Sequence, residues 1–178
     1  GKLDMSAVGL SDEDIKKIDQ ICIVACGSAY HVGVAAQYVI EDLAQIPVRT
    51  ELASEFRYRK PLLSKNELGI IVSQSGETAD SLAALRLAKE KGIKTLGIVN
   101  VVGSSIAREA DNVFYTLAGP EIAVATTKAY STQLIAAYCL AIQFAIVRGT
   151  IDEAKYLELI QEMAQLPDKI QKIIEDKE

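Results

Sequence analysis

The stretch Ile70–Ile71–Val72–Ser73–Gln74–Ser75–Gly76–Glu77–Thr78 decides the fold. Three branched apolar residues run straight into a polar turn. A helical pattern follows through Ala79, Leu82, Ala83, Leu85 and Ala88. That order is the grammar of a buried parallel strand whose carboxyl end opens a helix. The turn carries hydroxyls at Ser73, Ser75 and Thr78, an amide at Gln74, and Gly76, which lets the backbone come close to a ligand. Amide N–H groups at a helix start lack intrahelical partners and carry partial positive charge, so they attract an anion. Two readings fit this nonapeptide equally. One is a phosphate cradle built without lysine; the other is an ordinary strand-to-helix turn with Thr78 as N-cap.

The same grammar repeats on both sides. Ile21–Ala25 is an apolar strand ending in Cys26–Gly27–Ser28, with an amphipathic helix from Ala29 to Leu43. Val48–Leu52 is a short strand after Pro47, and Ala53–Arg59 a short helix stopped by Pro61. The central strand is Leu68–Val72, its helix Thr78–Lys91, with Gly92 as C-cap. Thr95–Val99 ends in Asn100–Ser105, a short helix reaches Glu109, and Asn112–Leu117 is a fifth strand. Ile122–Ala125 is a short extended or looped piece before the helix Thr126–Arg148. At the start, Gly1–Leu10 has weak pattern and is expected to fray, while Ser11 followed by Asp12, Glu13 and Asp14 caps a helix ending near Ile18. At the end, Leu166–Pro167 splits the last helical stretch.

Alternating strands and helices predict a three-layer αβα sandwich around a parallel sheet. The turns Gly27–Ser28, Ser73–Gly76 and Gly103–Ser105 then lie on one edge, where such sheets bind ligands near the topological switch point. This convergence tips the balance towards a small anionic ligand at the Ser73–Thr78 loop. Neither a Gly-x-Gly-x-x-Gly pattern nor a P-loop lysine occurs, which disfavours dinucleotides and nucleoside triphosphates.

The 178 residues suffice for one domain with a sizeable core, and a hydrophobic share of 49% argues against disorder. The net charge of -5 without a basic stripe makes nucleic acid an unsuitable partner. Cys22, Cys26 and Cys139 sit in apolar runs and fit a reduced, cytoplasmic protein better than a disulfide framework. The single histidine, His31, excludes a multi-histidine metal centre, so neither metal nor cofactor is expected. The apolar run Leu134–Val147 is shorter than the ~20 residues a membrane span requires. The apolar circumference of the helix that carries it predicts cover from a second copy of the chain.

Four blocks carry a resemblance: Ala25–Ser28, Ala53–Arg59, Ser73–Asp80 and Glu121–Tyr130. Together they are similar to the first sugar-isomerase (SIS) domain of the glutamine–fructose-6-phosphate aminotransferase family, over residues 19–150. Residues 1–18 then form a lead-in, and 151–178 an extension towards a second SIS domain. The resemblance implies a five-stranded parallel sheet of flavodoxin-like order, a homodimer, and a bound phosphosugar such as fructose 6-phosphate or glucosamine 6-phosphate. It implies that Ser73, Gln74, Ser75 and Thr78 hold the phosphate. Ser28 and the Val124 backbone would touch the sugar, with Thr126 nearby. Ala29 lacks the hydroxyl the family carries at that position. The family also carries a glutaminase domain with an amino-terminal cysteine, where this chain has Gly1, and its second SIS domain supplies the isomerisation base. The resemblance therefore implies a binding half of a larger enzyme in hexosamine biosynthesis, inactive by itself. A phosphosugar-sensing or fructosamine-deglycase module is the alternative.

Other residues admit sharper chemistry and blander explanations. Cys26 with His31 could form a nucleophile and base, but a strand-end thiol and a surface histidine are the plainer reading. Lys128 could form a Schiff base if buried; otherwise it is structural. Arg57 and Arg59 could bind phosphate or form salt bridges at an interface. Glu77 could be a base, or could complement the dipole of the helix it precedes.

Overall fold

The computed structural model describes residues 2–123 and 125–176. Five strands, β1 (Gln20–Ala25), β2 (Val48–Leu52), β3 (Glu67–Ser73), β4 (Lys94–Val99) and β5 (Asn112–Tyr115), form one sheet in the order β2-β1-β3-β4-β5. Every adjacent pair is parallel. This is the expected flavodoxin-like order, and its switch point lies between β1 and β3. The central strands read as continuous apolar runs because both faces are covered: all seven residues of β3 are buried.

Among the described residues eight helices accompany the sheet. They are α1 (Asp12–Lys17), α2 (Ser28–Ala44), α3 (Ala53–Tyr58), α4 (Ala79–Glu90), α5 (Ser105–Glu109), α6 (Lys128–Arg148), α7 (Glu153–Ala164) and α8 (Leu166–Glu175). On one face Ile21, Ile23, Ile70, Val72 and Ile98 pack with Ala36 and Ile40 of α2 and Ala137, Leu140 and Phe144 of α6. On the other, Cys22, Val24, Ile71 and Val99 meet Phe56 of α3, Leu85 of α4 and Ile106 of α5. The strand alternation thus sends successive side chains into two separate cores. Burial pushes the Cys22 thiol up to about 12, which leaves it an inert core residue. All three cysteines are free.

Several boundaries differ from the sequence reading. The amino-terminal lead-in does not fray throughout: Ser6–Val8 forms a 3₁₀ turn that buries Val8, and the Leu3 N–H donates to Tyr156 Oη of α7 at 2.8 Å. Tertiary contact supplies there what the local pattern lacks. The helix after β3 ends one residue before the expected position, with Lys91 as C-cap and Gly92 left-handed beyond it at φ 75°. β5 stops at Tyr115, and the long helix begins at Lys128, not Thr126. By length and hydropathy α6 is long enough to cross a bilayer, unlike the shorter run read from the sequence. Half of its most apolar window is buried, against α2 and the sheet.

The apolar surplus of α6 is only partly spent inside the chain. Leu134, Ile135 and Tyr138 line a groove of about 980 Å³ with Leu159 and Met163 of α7 and Ile170 of α8. α8 buries none of its residues, and Ile170, Ile173 and Ile174 stay exposed.

Candidate functional site

The carboxyl ends of β1 and β3 deliver Ser28 and the Ser73–Thr78 loop to the switch point. The loop is held mostly by its own polar groups. Ser73, buried at the end of β3, accepts the Gly76 N–H at 3.0 Å through Oγ, and the Ser73 and Thr78 hydroxyls lie 3.2 Å apart. Ser75 Oγ accepts the Glu77 N–H at 3.2 Å. The next loop pins it from outside: the Asn100 N–H donates to the Gln74 carbonyl at 3.1 Å and the Ile106 N–H to the Gly76 carbonyl at 3.0 Å.

Gly76 has to be glycine. Its φ is 66°, and a Cβ there would stand 2.0 Å from Ser104 Oγ and 2.5 Å from Ser104 Cβ. Both the left-handed backbone and the close approach exclude a side chain.

Thr78 occupies the N-cap position of α4 with extended backbone, but its side chain makes no capping bond. The ordinary-turn reading thus holds for the N-cap position of Thr78 but not for a side-chain cap. The Thr78 hydroxyl faces Ser73, and the first N–H groups of α4 keep their positive ends without a side-chain acceptor. α2 starts likewise, with Gly27 at its N-cap and no side-chain cap. Ser28 is exposed at that start, and its Oγ lies 3.3 Å from Thr126 Oγ1. The structure thus gathers Ser73, Gln74, Ser75 and Thr78 in one loop and brings Ser28 and Thr126 together. Val124 lies outside the described residues.

Glu77 does complement a helix start, but not that of α4. Its Oε1 accepts the Ser105 N–H of α5 at 2.7 Å. Hydrogen bonds from Ser105, side chain first and backbone second, hold its carboxyl below the usual range. Its role is to tie two loops together, which leaves it bonded away from the site.

The remaining candidates are placed as follows. Cys26 is half-buried just beyond β1, and its Sγ accepts from Ser81 Oγ at 3.8 Å. His31 is exposed and meets Tyr30 edge-on at 5.5 Å, so no Cys–His pair forms. Lys128 is exposed at the first position of α6 and lacks the burial that a Schiff-base lysine requires. Arg57 Nη1 bonds Asp80 Oδ1 of α4 at 2.9 Å and its guanidinium stacks 5.1 Å from the Tyr58 ring; Arg59 pairs with Glu51. Both arginines are therefore committed to carboxylates within the chain. No group of metal-ligating side chains occurs among the described residues. Sequence reasoning missed Asn100, whose backbone fixes Gln74. A polar residue directly after a buried apolar strand was the available signal.

The chain is 56% identical over 171 residues to glutamine–fructose-6-phosphate aminotransferase [isomerizing] of Caldanaerobacter subterraneus subsp. tengcongensis, covering 96% of this chain and 28% of that protein. It is 54% identical over 176 residues to the enzyme of the same name from Clostridium tetani, covering 99% of this chain and 29% of that one. The chain therefore spans less than a third of the length of these relatives. Among solved structures, the C-terminal domain of glucosamine-fructose-6-phosphate aminotransferase from Francisella tularensis superposes with a TM-score of 0.84 at 40% identity, over 86% of this chain and 43% of that one. The SIS domain model matches residues 14–143, a span that holds the whole sheet and the serine loop at its switch point, and this chain belongs to the SIS domain family.

Proposed function

We propose that this chain is the phosphosugar-binding half of the isomerase module of a glutamine–fructose-6-phosphate aminotransferase. The observation that carries the reading is the start of α4: uncapped N–H groups beside four hydroxyl or amide side chains at the β1/β3 switch point. Fructose 6-phosphate or glucosamine 6-phosphate places its phosphate on Ser73, Gln74, Ser75 and Thr78. Its sugar points towards Ser28, Thr126 and the Val124 backbone. The parent chain, a cytoplasmic enzyme of hexosamine biosynthesis, adds a glutaminase domain and a second SIS domain. The lengths of the relatives support that larger architecture. Exposed Ile135 and Tyr138 on α6 support an apolar homodimer contact.

By itself the chain binds without turnover. Ketose–aldose isomerisation needs a base within hydrogen-bond reach of the migrating proton. The carboxylates next to the loop are already engaged, Glu77 by Ser105 and Asp80 by Arg57. Titration calorimetry with fructose 6-phosphate tests the binding, and conversion to glucose 6-phosphate tests the inactivity. No heat at millimolar ligand overturns the binding reading. Turnover that disappears in His31→Ala overturns the second part and makes His31 catalytic.

A further inference from the structure

Between β5 and α6, residues 116–123 and 125–127 form a strap whose root lies beside β4 and whose end lies at the start of α2. It is tied down at identifiable points. At its end, Thr126 meets Ser28. Before α6, Glu121 Oε2 accepts the Ala129 N–H at 3.2 Å. At its beginning, three bonds go to one side chain: Asn100 Nδ2 donates to the Gly119 carbonyl at 2.7 Å, while Oδ1 accepts from the Ala118 N–H at 2.7 Å and from Thr116 Oγ1 at 3.2 Å. An amide N–H can only donate and a carbonyl can only accept, so these partners fix which way the Asn100 amide points.

Between them sits Leu117, a non-glycine residue at φ 51° and 74% exposed. A left-handed leucine is strained, because its Cβ crowds the following carbonyl oxygen. Its exposed side chain offsets little of this strain. Such backbone persists where the surroundings over-determine it. Here the residues on both sides of Leu117 bond the same Asn100 oxygen. Meanwhile the backbone N–H of Asn100 holds the Gln74 carbonyl of the serine loop. One buried residue therefore holds both the phosphate loop and the root of the strap that ends beside Ser28.

We propose that Asn100 is a positioning residue that sets the strap against the phosphate loop, and so determines affinity for the sugar part of the ligand separately from the phosphate part. The proposal rests on the phosphosugar reading given above. In Asn100→Ala the backbone N–H remains, so the serine loop keeps its tie through Gln74. The root of the strap loses its three bonds to the Asn100 side chain, and Leu117 relaxes. Thr126 then no longer presents a fixed partner beside Ser28.

The test is an amide NMR titration of the wild-type chain and Asn100→Ala with fructose 6-phosphate and, separately, inorganic phosphate. The expected result is sugar-phosphate affinity weakened by about tenfold or more, with phosphate affinity held within about twofold. Equal weakening of both ligands, or of neither, overturns the proposal. If Asn100→Ala does not fold, Gly119→Ala serves instead. Gly119 has φ 72° with open space around it, so alanine strains the strap at the carbonyl that Asn100 holds without creating a clash. It should show the same split to a smaller degree. Should the wild type bind neither ligand, the phosphosugar reading falls, and ligand-free spectra decide the coupling. Shifts in Asn100→Ala that reach Ser28 and Thr126 support it, and shifts confined to residues 116–119 overturn it.

Discussion

At the end of β3, Ser73–Gln74–Ser75–Gly76 leads into α4, whose first N–H groups have no side-chain acceptor. At the end of β4, Gly103–Ser104–Ser105 leads into α5, whose first N–H already donates to the Glu77 carboxylate. The two loops use the same residue types and lie side by side on the same sheet edge. Ser104 stands at the N-cap of α5, yet its Oγ is buried without a partner among the described residues, pressed against Gly76. The β3 loop thus keeps an open positive end, while the β4 loop spends its groups on buttressing its neighbour. A Gly/Ser turn before a helix is therefore not yet an anion site. What decides is whether a carboxylate of the same chain has reached the helix start first.

The largest effect should come from breaking the contact between the loops. Gly76→Ala combines left-handed strain with collision against Ser104 and should cost about 3 kcal/mol in denaturant unfolding, with ligand binding lost. Gly103→Ala, at φ 73° with nothing within 4 Å, should cost only about 1 kcal/mol. Equal costs would mean that the buttress is not rigid.

Next in size is the loss of ligand contacts. Thr78→Val and Ser75→Ala should each weaken fructose 6-phosphate binding by about 1.5–3 kcal/mol in calorimetry. Tm should barely move in Ser75→Ala, because Ser75 bonds only a local N–H on the surface, and should fall modestly in Thr78→Val, which takes the hydroxyl partner from the buried Ser73. Unaltered affinity in both variants would remove the phosphate from this loop.

The smallest effect concerns pH. The Glu77 carboxyl is depressed in the folded state. Its stabilising contribution is therefore present above the ordinary value of 4.5 and is lost as pH falls through the depressed folded value. Glu77→Gln lacks that titration, so its Tm should decline less steeply with acidification over this window. Parallel Tm profiles for the two proteins would show that the carboxylate does not matter to α5.

Much of this was legible in the chain itself. Apolar runs such as Ile21–Ala25 and Leu68–Val72, each followed by a small-residue turn and a 3.6-period helix, specify a doubly covered parallel sheet, because no other arrangement buries both faces of such strands. The hydroxyls of Ser73, Ser75 and Thr78 were equally visible, since they are local to one turn. Tertiary structure decided the rest. Glu77 serves α5 and not α4, and Asn100 holds residues 116–119, because each partner lies across a chain reversal that local pattern does not encode. The amino-terminal turn docks on Tyr156 for the same reason. Local sequence sets which faces are apolar and where helices begin. Only packing brings a distant carboxylate or amide within hydrogen-bond distance, and at about 3 Å that geometry selects which helix end stays free for an anion.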